Sequence, residues 1–389
     1  MIVDADRRIF ISVAEASADL HAAALLRQAG ETLPACRFYG LTGPRMRAAG
    51  AETLYDFTAH AAMLSGVLSV VGHARRALRL IEQSWREAPP AAVVLIDSPE
   101  LHLRLARRAR QMGVPVLYYV APQTWAARAY RNRQIARDVD RLACILPFEE
   151  AYFRGVGIAA EFVGHPLFES SRRQTVDEGT VRMLRTGDGP LIALLPGSRR
   201  HVIDTMLPRQ LEVIRHLRQA GVTPRVAVSC VDTGQQAGIE EHLMRAGMAA
   251  RVVVGDNASL LSAADLVLVT SGTATLEVAY YRKPMIVMYD AGRLLRWPYR
   301  LLGRLVLATP HLSLVNILAG ARVVPEFMPF LPDVRRVART AGALLHDARW
   351  RDLLVRQLDE LVRPLVDTQP SRRVCELLAE LLGLSGGRD

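Results

Sequence analysis

The feature that most constrains this chain is an alternation of short apolar runs, each the length of a buried strand, with amphipathic stretches, carried through two separate series. In the first half the runs are Ile9–Val13, Val93–Ile96, Val114–Val120 and Leu142–Leu146. Helical patterns lie between them, as where Val67, Val70, Val71, Ala74, Leu78 and Ile81 recur with Arg75, Arg76 and Arg79 interleaved. Continuous apolar runs suit strands covered on both faces, and strands alternating with helices close as parallel sheets wrapped by helices. The second series is Leu191–Leu195, Arg225–Ser229, Arg251–Val254, Leu266–Val269 and Met285–Tyr289. Between the two, the polar, glycine-bearing stretch Glu169–Pro190 reads as a linker. With 389 residues the chain exceeds the ~250–300 that one hydrophobic core usually serves, so two α/β units are expected. Two helical patterns close the chain: one through Leu353, Leu354, Leu358 and Leu361 stopped by Pro364, the other beginning at Ser371.

Composition narrows the function classes. Half the residues are apolar and 23% are charged, which excludes a disordered chain. The richest apolar window, Leu260–Ala279, is broken by Asp265, Gly272 and several hydroxyl residues, so no membrane-spanning segment is expected. The start of the chain lacks a cationic-then-apolar leader, which makes the cytoplasm the default location. Basic residues exceed acidic ones by 49 − 39 = +10, which favours an anionic partner or surface. Lys283 is the only lysine, and the arginine fork that replaces it elsewhere suits phosphate; a base-rich genome, which gives the same bias with no functional meaning, is the alternative. Cys36, Cys144, Cys230 and Cys375 lie too far apart in sequence for a metal or redox pair. No metal and no cofactor are expected.

Chemistry is expected at strand ends. Leu194–Arg200 reads as a strand closing in Pro196-Gly197 before a helix, where exposed N–H groups with Ser198, Arg199 and Arg200 alongside make an anion site; an ordinary turn with surface arginines is the alternative. Ser271, Gly272 and Thr273 repeat that geometry, and Glu277 could accept bonds from a ribose diol or could simply be a solvated helix residue. In the first half, Glu15, Asp19, Asp97 and Glu100 follow strands, where a general base would stand, although Asp19 could equally cap the helix after it. His165 falls at an expected domain crossing, where a structural histidine is the alternative to a catalytic one, and Gln123 and Trp125 add amide and aromatic groups at another strand end. The segment Leu294–Leu305, with Arg296, Trp297, Tyr299 and Arg300 and no acid, has the composition of a segment resting on an anionic bilayer; its aliphatic content argues against nucleic acid, and a buried connector is the alternative.

Together these segments resemble the lipid-A-disaccharide synthase family, in order along nearly the whole chain. The motifs are E-A-S-A-D at Glu15, G-P-R-M at Gly43, L-S-V-V-G at Leu68, I-D-S-P-E at Ile96, Y-Y-V-A-P-Q-T-W at Tyr118, L-P-F-E at Leu146 and F-V-G-H-P-L at Phe162. L-L-P-G-S-R-R at Leu194, S-G-T-A-T-L-E at Ser271, and S-L-V-N-I-L-A-G with V-V-P-E between Ser313 and Glu326 follow. The resemblance implies a GT-B-like α/β glycosyltransferase, two Rossmann-like domains facing a central cleft, that uses no metal and inverts the anomeric centre. Its domains would span residues 1–172 and 173–350, with helices over 351–389 returning to the first. The implied reaction joins UDP-2,3-diacylglucosamine to 2,3-diacylglucosamine 1-phosphate in a β-1,6 linkage and releases UDP.

By the same resemblance Gly197, Ser198, Arg199, Arg200, Ser271, Gly272, Thr273, Glu277 and Asn316 would hold UDP. Glu15, Ser17, Asp19, Asp97 and Glu100 would face the acceptor, with Gln123, Trp125 and His165 on the same side and Glu100 or Asp97 as base. A cytoplasmic enzyme on the inner membrane surface, with a homodimer admitted, completes the expectation. Departures fall in the first domain: Ala14 and Ala18 stand where the family has glycines, Glu100 where it has aspartate, and Thr42 and Ala127 replace a glycine and a tryptophan. They leave open a related transferase with another acceptor, or a membrane-associated UDP-sugar-binding protein without turnover.

Overall fold

The computed structural model describes residues 7–56, 67–292, 310–331 and 333–384, so the interfacial segment expected around Arg296, Trp297, Tyr299 and Arg300 lies outside the described residues. The chain divides into two units, one running to Pro166 and resuming at Thr368, the other Leu167–Asp367.

The first unit is built on a parallel sheet of seven strands, β1 (Arg7–Ser12), β2 (Cys36–Leu41), β3 (Glu52–Tyr55), β4 (Ala92–Ile96), β5 (Val116–Tyr119), β6 (Arg141–Cys144) and β7 (Ala160–Phe162), in the order β3-β2-β1-β4-β5-β6-β7. Its helices are α1 (Ala16–Thr32), α2 (Pro44–Ala48), α3 (Val67–Glu87), α4 (Pro99–Gln111), α5 (Asn132–Asp138) and α6 (Pro147–Gly155). Alternation along each strand sorts the core into two layers. Phe10, Val93, Leu95 and Tyr118 face α3 and α4 through Ile81, Trp85, Leu103 and Ala106. Ile9, Ile11, Val94, Ile96 and Tyr119 face α1 together with Val374, Cys375, Leu377 and Leu378 of the final helix, Pro370–Leu381. The chain therefore returns because the second face of this sheet needs that apolar stripe.

The second unit repeats the plan with β8 (Leu191–Leu195), β9 (Arg225–Cys230), β10 (Arg251–Val254), β11 (Leu266–Val269), β12 (Met285–Met288) and β13 (Glu326–Phe327), ordered β10-β9-β8-β11-β12-β13 and parallel throughout. Its helices are α7 (Pro166–Arg173, whose first residue belongs to the first unit), α8 (Glu178–Arg185), α9 (Arg200–Gln219), α10 (Thr233–Arg245), α11 (Asn257–Ala263), α12 (Ala274–Tyr280), α13 (Leu314–Ala319), α14 (Val334–His346) and α15 (Ala348–Val366).

The stretch expected as a linker folds into α7 and α8: the Asp177 carboxylate accepts from Gly179 N and Thr180 N at 3.1 Å each, starting a helix that buries Val181 and Leu184. Of the closing helices only Pro370–Leu381 groups with the first unit, whereas α15 groups with the second. Pro364 does not stop α15, because buried Val362 and Leu365 hold the last turn around it. The strands β2, β3, β7 and β13 have no counterpart among the apolar runs. In β2 the run is broken by Arg37 and Gly40, and Gly40 is required there because a Cβ would lie 2.2 Å from the Ile11 carbonyl oxygen.

Candidate active site

In a doubly wound sheet, strands on either side of the point where the order reverses send their following loops in opposite directions, and the crevice between those loops takes ligands. The reversal falls between β1 and β4 in the first unit and between β8 and β11 in the second. The loops after β1 and β4 carry Glu15 and Asp97 and lead into Ser17 on α1 and Glu100 on α4, and those after β8 and β11 carry Gly197–Arg199 and Ser271–Thr273, with Arg200 opening α9.

In the second unit β8 ends at Leu195, and Gly197 turns the chain with φ +111°, a conformation that L side chains rarely adopt. A Cβ at Gly197 would also stand 3.0 Å from Val202 Cγ1. Ser198, Arg199 and Arg200 are exposed, and the Ser198 carbonyl accepts from Gln235 Nε2 at 2.6 Å. Arg199 occupies the N-cap of the 20-residue α9, and its side chain makes no cap bond to the first turn. The Arg200 side chain is 94% exposed. Amides at the positive end of a long helix, with two guanidinium groups beside them, can take an anion. Across the reversal Gly272 has φ +125°, and Thr273 occupies the N-cap position of α12 without a side-chain cap bond. The half-buried Glu277 carboxylate accepts from Asn257 Nδ2 at 3.2 Å, and Asn257 Oδ1 accepts from Ser229 Oγ at 2.5 Å. Burial raises the Glu277 pKa against the lowering effect of the Asn257 bond.

Asn316 does not fit direct ligand contact. Its side chain is fully buried, its Oδ1 accepts from Val323 N and Val324 N at 2.9 Å each, and its Nδ2 donates to the Val324 carbonyl and to Glu326. An amide offers two donors and two acceptors, and all four are used in holding the 320s loop against α13.

In the first unit strain gathers at the C-terminal edge of the sheet. Asp97 (φ +58°) and Ser98 (φ +48°) follow β4, Val120 (φ +64°) follows β5, and Arg128 (φ +62°) lies beyond it. Non-glycine residues held there cost about 1–3 kcal/mol each and concentrate where function requires them. The Asp97 carbonyl is clamped by Tyr118 OH at 2.5 Å and by His102 Nδ1 at 2.6 Å. His102 is buried, and burial lowers its pKa to about 4, so the ring is neutral: Nδ1–H donates to Asp97 while Nε2 accepts from Ser12 Oγ at 2.8 Å. The Glu100 carboxylate, 65% exposed, takes Arg128 Nη1 at 2.7 Å and Arg131 Nη2 at 3.0 Å, both on Oε1. Burial raises its pKa, but the bonds and charge of Arg131, with the Arg128 bond, outweigh that and hold it below the usual carboxylate range.

Asp19 is not placed as a base. It is buried, and its two oxygens accept from Arg45 N and Met46 N at 3.0 Å each, capping α2 rather than its own helix. Gly43 is tied to this cap, since a Cβ there would lie 2.4–2.6 Å from the carboxyl atoms of Asp19. Glu15, Ser17 and Gln123 are exposed. Trp125 Nε1 donates to buried Glu149 at 2.9 Å, which fixes the indole. His165 is buried, and burial with the nearby charge of His21 lowers its pKa to about 3, so it is no acid catalyst near neutrality. Ala18 packs in the core layer behind β1, and neither it nor Ala14 adopts positive φ, so the two alanines strain no backbone here.

Sequence reasoning missed His102, Arg128, Arg131, Asn257 and Gln210. The signal for Gln210 was a polar residue inside the apolar stripe Met206, Leu207, Leu211 and Ile214 of α9; its Nε2 donates to the Leu195 and Leu268 carbonyls at 3.3 and 3.1 Å, joining β8 to β11 just below both loops. Among the described residues no group of three His, Cys, Asp or Glu side chains could hold a metal, and no helix is long and apolar enough to cross a membrane.

Two parallel, doubly wound sheets whose loop-bearing edges sit at their reversal points define a GT-B-like α/β protein. Solved structures agree on the fold: the Staphylococcus aureus MnaA–UDP co-structure matches with TM-score 0.68 at 14% identity, covering 98% of this chain and 99% of that one. Acinetobacter baumannii MurG matches with TM-score 0.55 at 15% identity over 96% and 99%. The family model for lipid-A-disaccharide synthetase matches residues 9–359. A relative named lipid-A-disaccharide synthase from Anaeromyxobacter dehalogenans strain 2CP-C is 36% identical over 379 residues, 97% of each chain. The chain belongs to the lipid-A-disaccharide synthase family and is an enzyme of lipid A disaccharide synthesis.

Proposed function

We propose that the chain transfers 2,3-diacylglucosamine from its UDP ester to the 6-hydroxyl of 2,3-diacylglucosamine 1-phosphate, inverting the anomeric centre and releasing UDP. The observation that carries this reading is the edge of the second unit at the β8/β11 reversal, where Gly197, Ser198, Arg199, Arg200 and an N-terminus without a side-chain cap gather donors for a diphosphate. Ser271, Gly272 and Thr273 line the other side of that reversal, and Glu277, steadied by Asn257, accepts from the ribose hydroxyls. The solved relative fold that was captured with UDP supports a uridine nucleotide.

In the displacement a carboxylate of the first unit, Asp97 or Glu100, takes the proton of the acceptor hydroxyl as its oxygen bonds to the anomeric carbon. The bond to the diphosphate oxygen breaks with its electron pair, and the amides and arginines of the second unit receive that charge. The clamp on the Asp97 carbonyl keeps this strand end from relaxing, which holds the base in place. Glu15, Ser17, Gln123 and Trp125 contact the acceptor, and the arginine-aromatic segment around Arg296 rests on the cytoplasmic face of an anionic inner membrane, where both lipid substrates reside.

Release of UDP from UDP-diacylglucosamine, measured with and without diacylglucosamine 1-phosphate, tests the reading. Acceptor-dependent release is expected. Release with only some other acceptor points to a related transferase, and binding without release to a protein that has no turnover.

A further inference from the structure

Two guanidinium groups converge on one oxygen of one exposed carboxylate at the edge of the first sheet. Arg128, 57% exposed, and Arg131, 15% exposed, both donate to Glu100 Oε1. Two positive charges against one negative leave the cluster with a surplus of one, and both cations are spent on a single acceptor atom, a geometry that a ligand offering several charged oxygens improves upon. The sheltered Arg131 gives such a site a fixed arm and the exposed Arg128 an adjustable one. Arg128 also sits in left-handed backbone at φ +62°, a conformation whose cost is kept where position matters. The cluster stands beside the expected base, since Tyr118, which donates to the Asp97 carbonyl, lies within electrostatic reach of Asp97, Glu100 and Arg131.

We propose that Arg128 and Arg131 form the subsite for the phosphomonoester of the sugar acceptor, and that Glu100 occupies it as an internal stand-in until that phosphate displaces the carboxylate. This rests on the synthase reading for the identity of the sugar, though not for the anion chemistry. A sugar phosphate dianion satisfies both guanidinium groups with separate oxygens. Glu100, turned out of the arginines, loses the partners that hold it ionised and becomes a better proton acceptor only while the acceptor is bound.

The test has two arms. In the first, wild type and Arg128→Gln/Arg131→Gln are assayed with 2,3-diacylglucosamine 1-phosphate and with the same sugar lacking phosphate. Wild type is expected to favour the phosphorylated acceptor by about a hundredfold in KM, and the double variant to treat the two alike with the donor KM unchanged. A preference that survives in the double variant, or an equal loss on both acceptors, overturns the assignment. In the second, glucosamine 1-phosphate is titrated calorimetrically into wild type and Glu100→Gln, which removes the internal competitor's charge. About tenfold tighter binding by the variant is expected. Equal or weaker binding, no saturable binding to either protein, or inorganic phosphate binding as tightly as the sugar phosphate overturns it. If wild type turns over neither acceptor while the titration behaves as expected, the synthase reading fails and the phosphomonoester subsite stands.

Discussion

At the residue scale, the first unit keeps its unfavourable backbone where the chemistry is proposed. Asp97 and Ser98 are consecutive left-handed residues, and Ser98 precedes Pro99, which disfavours such geometry further. Tyr118 and His102 hold the Asp97 carbonyl in that state, so the position of the proposed base depends on two buried side chains. Replacing Glu100 by Gln is expected to lower turnover by at least a hundredfold while leaving UDP affinity within about twofold, because its neighbours belong to the first unit. Steady-state kinetics beside UDP calorimetry checks this, and near-normal turnover would move the base to Asp97. Asp97 and Glu100 were legible in the sequence because acids directly after apolar runs stand out. Arg128 and Arg131 were not, because arginines are common in this chain and only folding brings them to Glu100 from about thirty residues away. Asp19 shows the opposite failure: a carboxylate at a strand end is legible, but whether it faces ligand or caps a neighbouring helix depends on α2, which the sequence pattern did not reveal.

At the element scale, strands buried on both faces were legible as apolar runs, which recovered β1, β4, β5 and β6 and most of the second sheet. The edge strands β3, β7 and β13 were missed because they are short and only partly buried, so they need no continuous apolar run. The expected linker became α7 and α8 because a few buried residues suffice for a short capped helix, and a polar majority conceals them. The turns after β8 and β11 were legible from their small residues and hydroxyls; their coupling was not. Gln210 ties the ends of β8 and β11, so Gln210→Leu is expected to cost about 1–3 kcal/mol of stability and to weaken UDP binding about tenfold, with the secondary structure intact. Denaturant titration with UDP calorimetry on the folded variant measures both. Lost stability with unaltered UDP affinity would show that the amide only supports the core.

At the scale of the whole molecule, buried titratable groups set the response to acid. His102 and His165 are neutral in the native state, with pKa values lowered by burial to about 4 and about 3, the second also by His21, whereas an unfolded histidine titrates near 6.5. Between pH 6.5 and about 4 the unfolded chain therefore binds protons that the native chain refuses, and stability falls as pH falls. Glu149 acts the other way. Burial pushes it up to about 7 despite bonds from Trp125, Leu146 N and Ile145 N, so from about pH 7 to 4.5 the native state binds the extra proton and gains stability. His21, whose pKa burial lowers to about 4, joins the other two histidines, so three stand against Glu149 and Glu277, whose pKa burial also raises, and leave a net loss in acid. The melting temperature is expected to drop between pH 6.5 and 4.5, and to drop more steeply in Glu149→Gln; a melting temperature that rises over that interval would contradict the assignment.

The two-unit division was also legible from length and alternation, although its seams at Pro166 and Thr368 were not, since the packing of a terminal helix on a distant sheet face leaves no local signature. The proposed function requires the second unit's loops at the β8/β11 reversal to grip a uridine diphosphate. Isothermal titration of the folded protein with UDP measures it most directly. One saturable site per chain is expected, weakened at least tenfold by Arg199→Ala with Arg200→Ala; a flat titration, or affinity that the arginine pair does not influence, would contradict it.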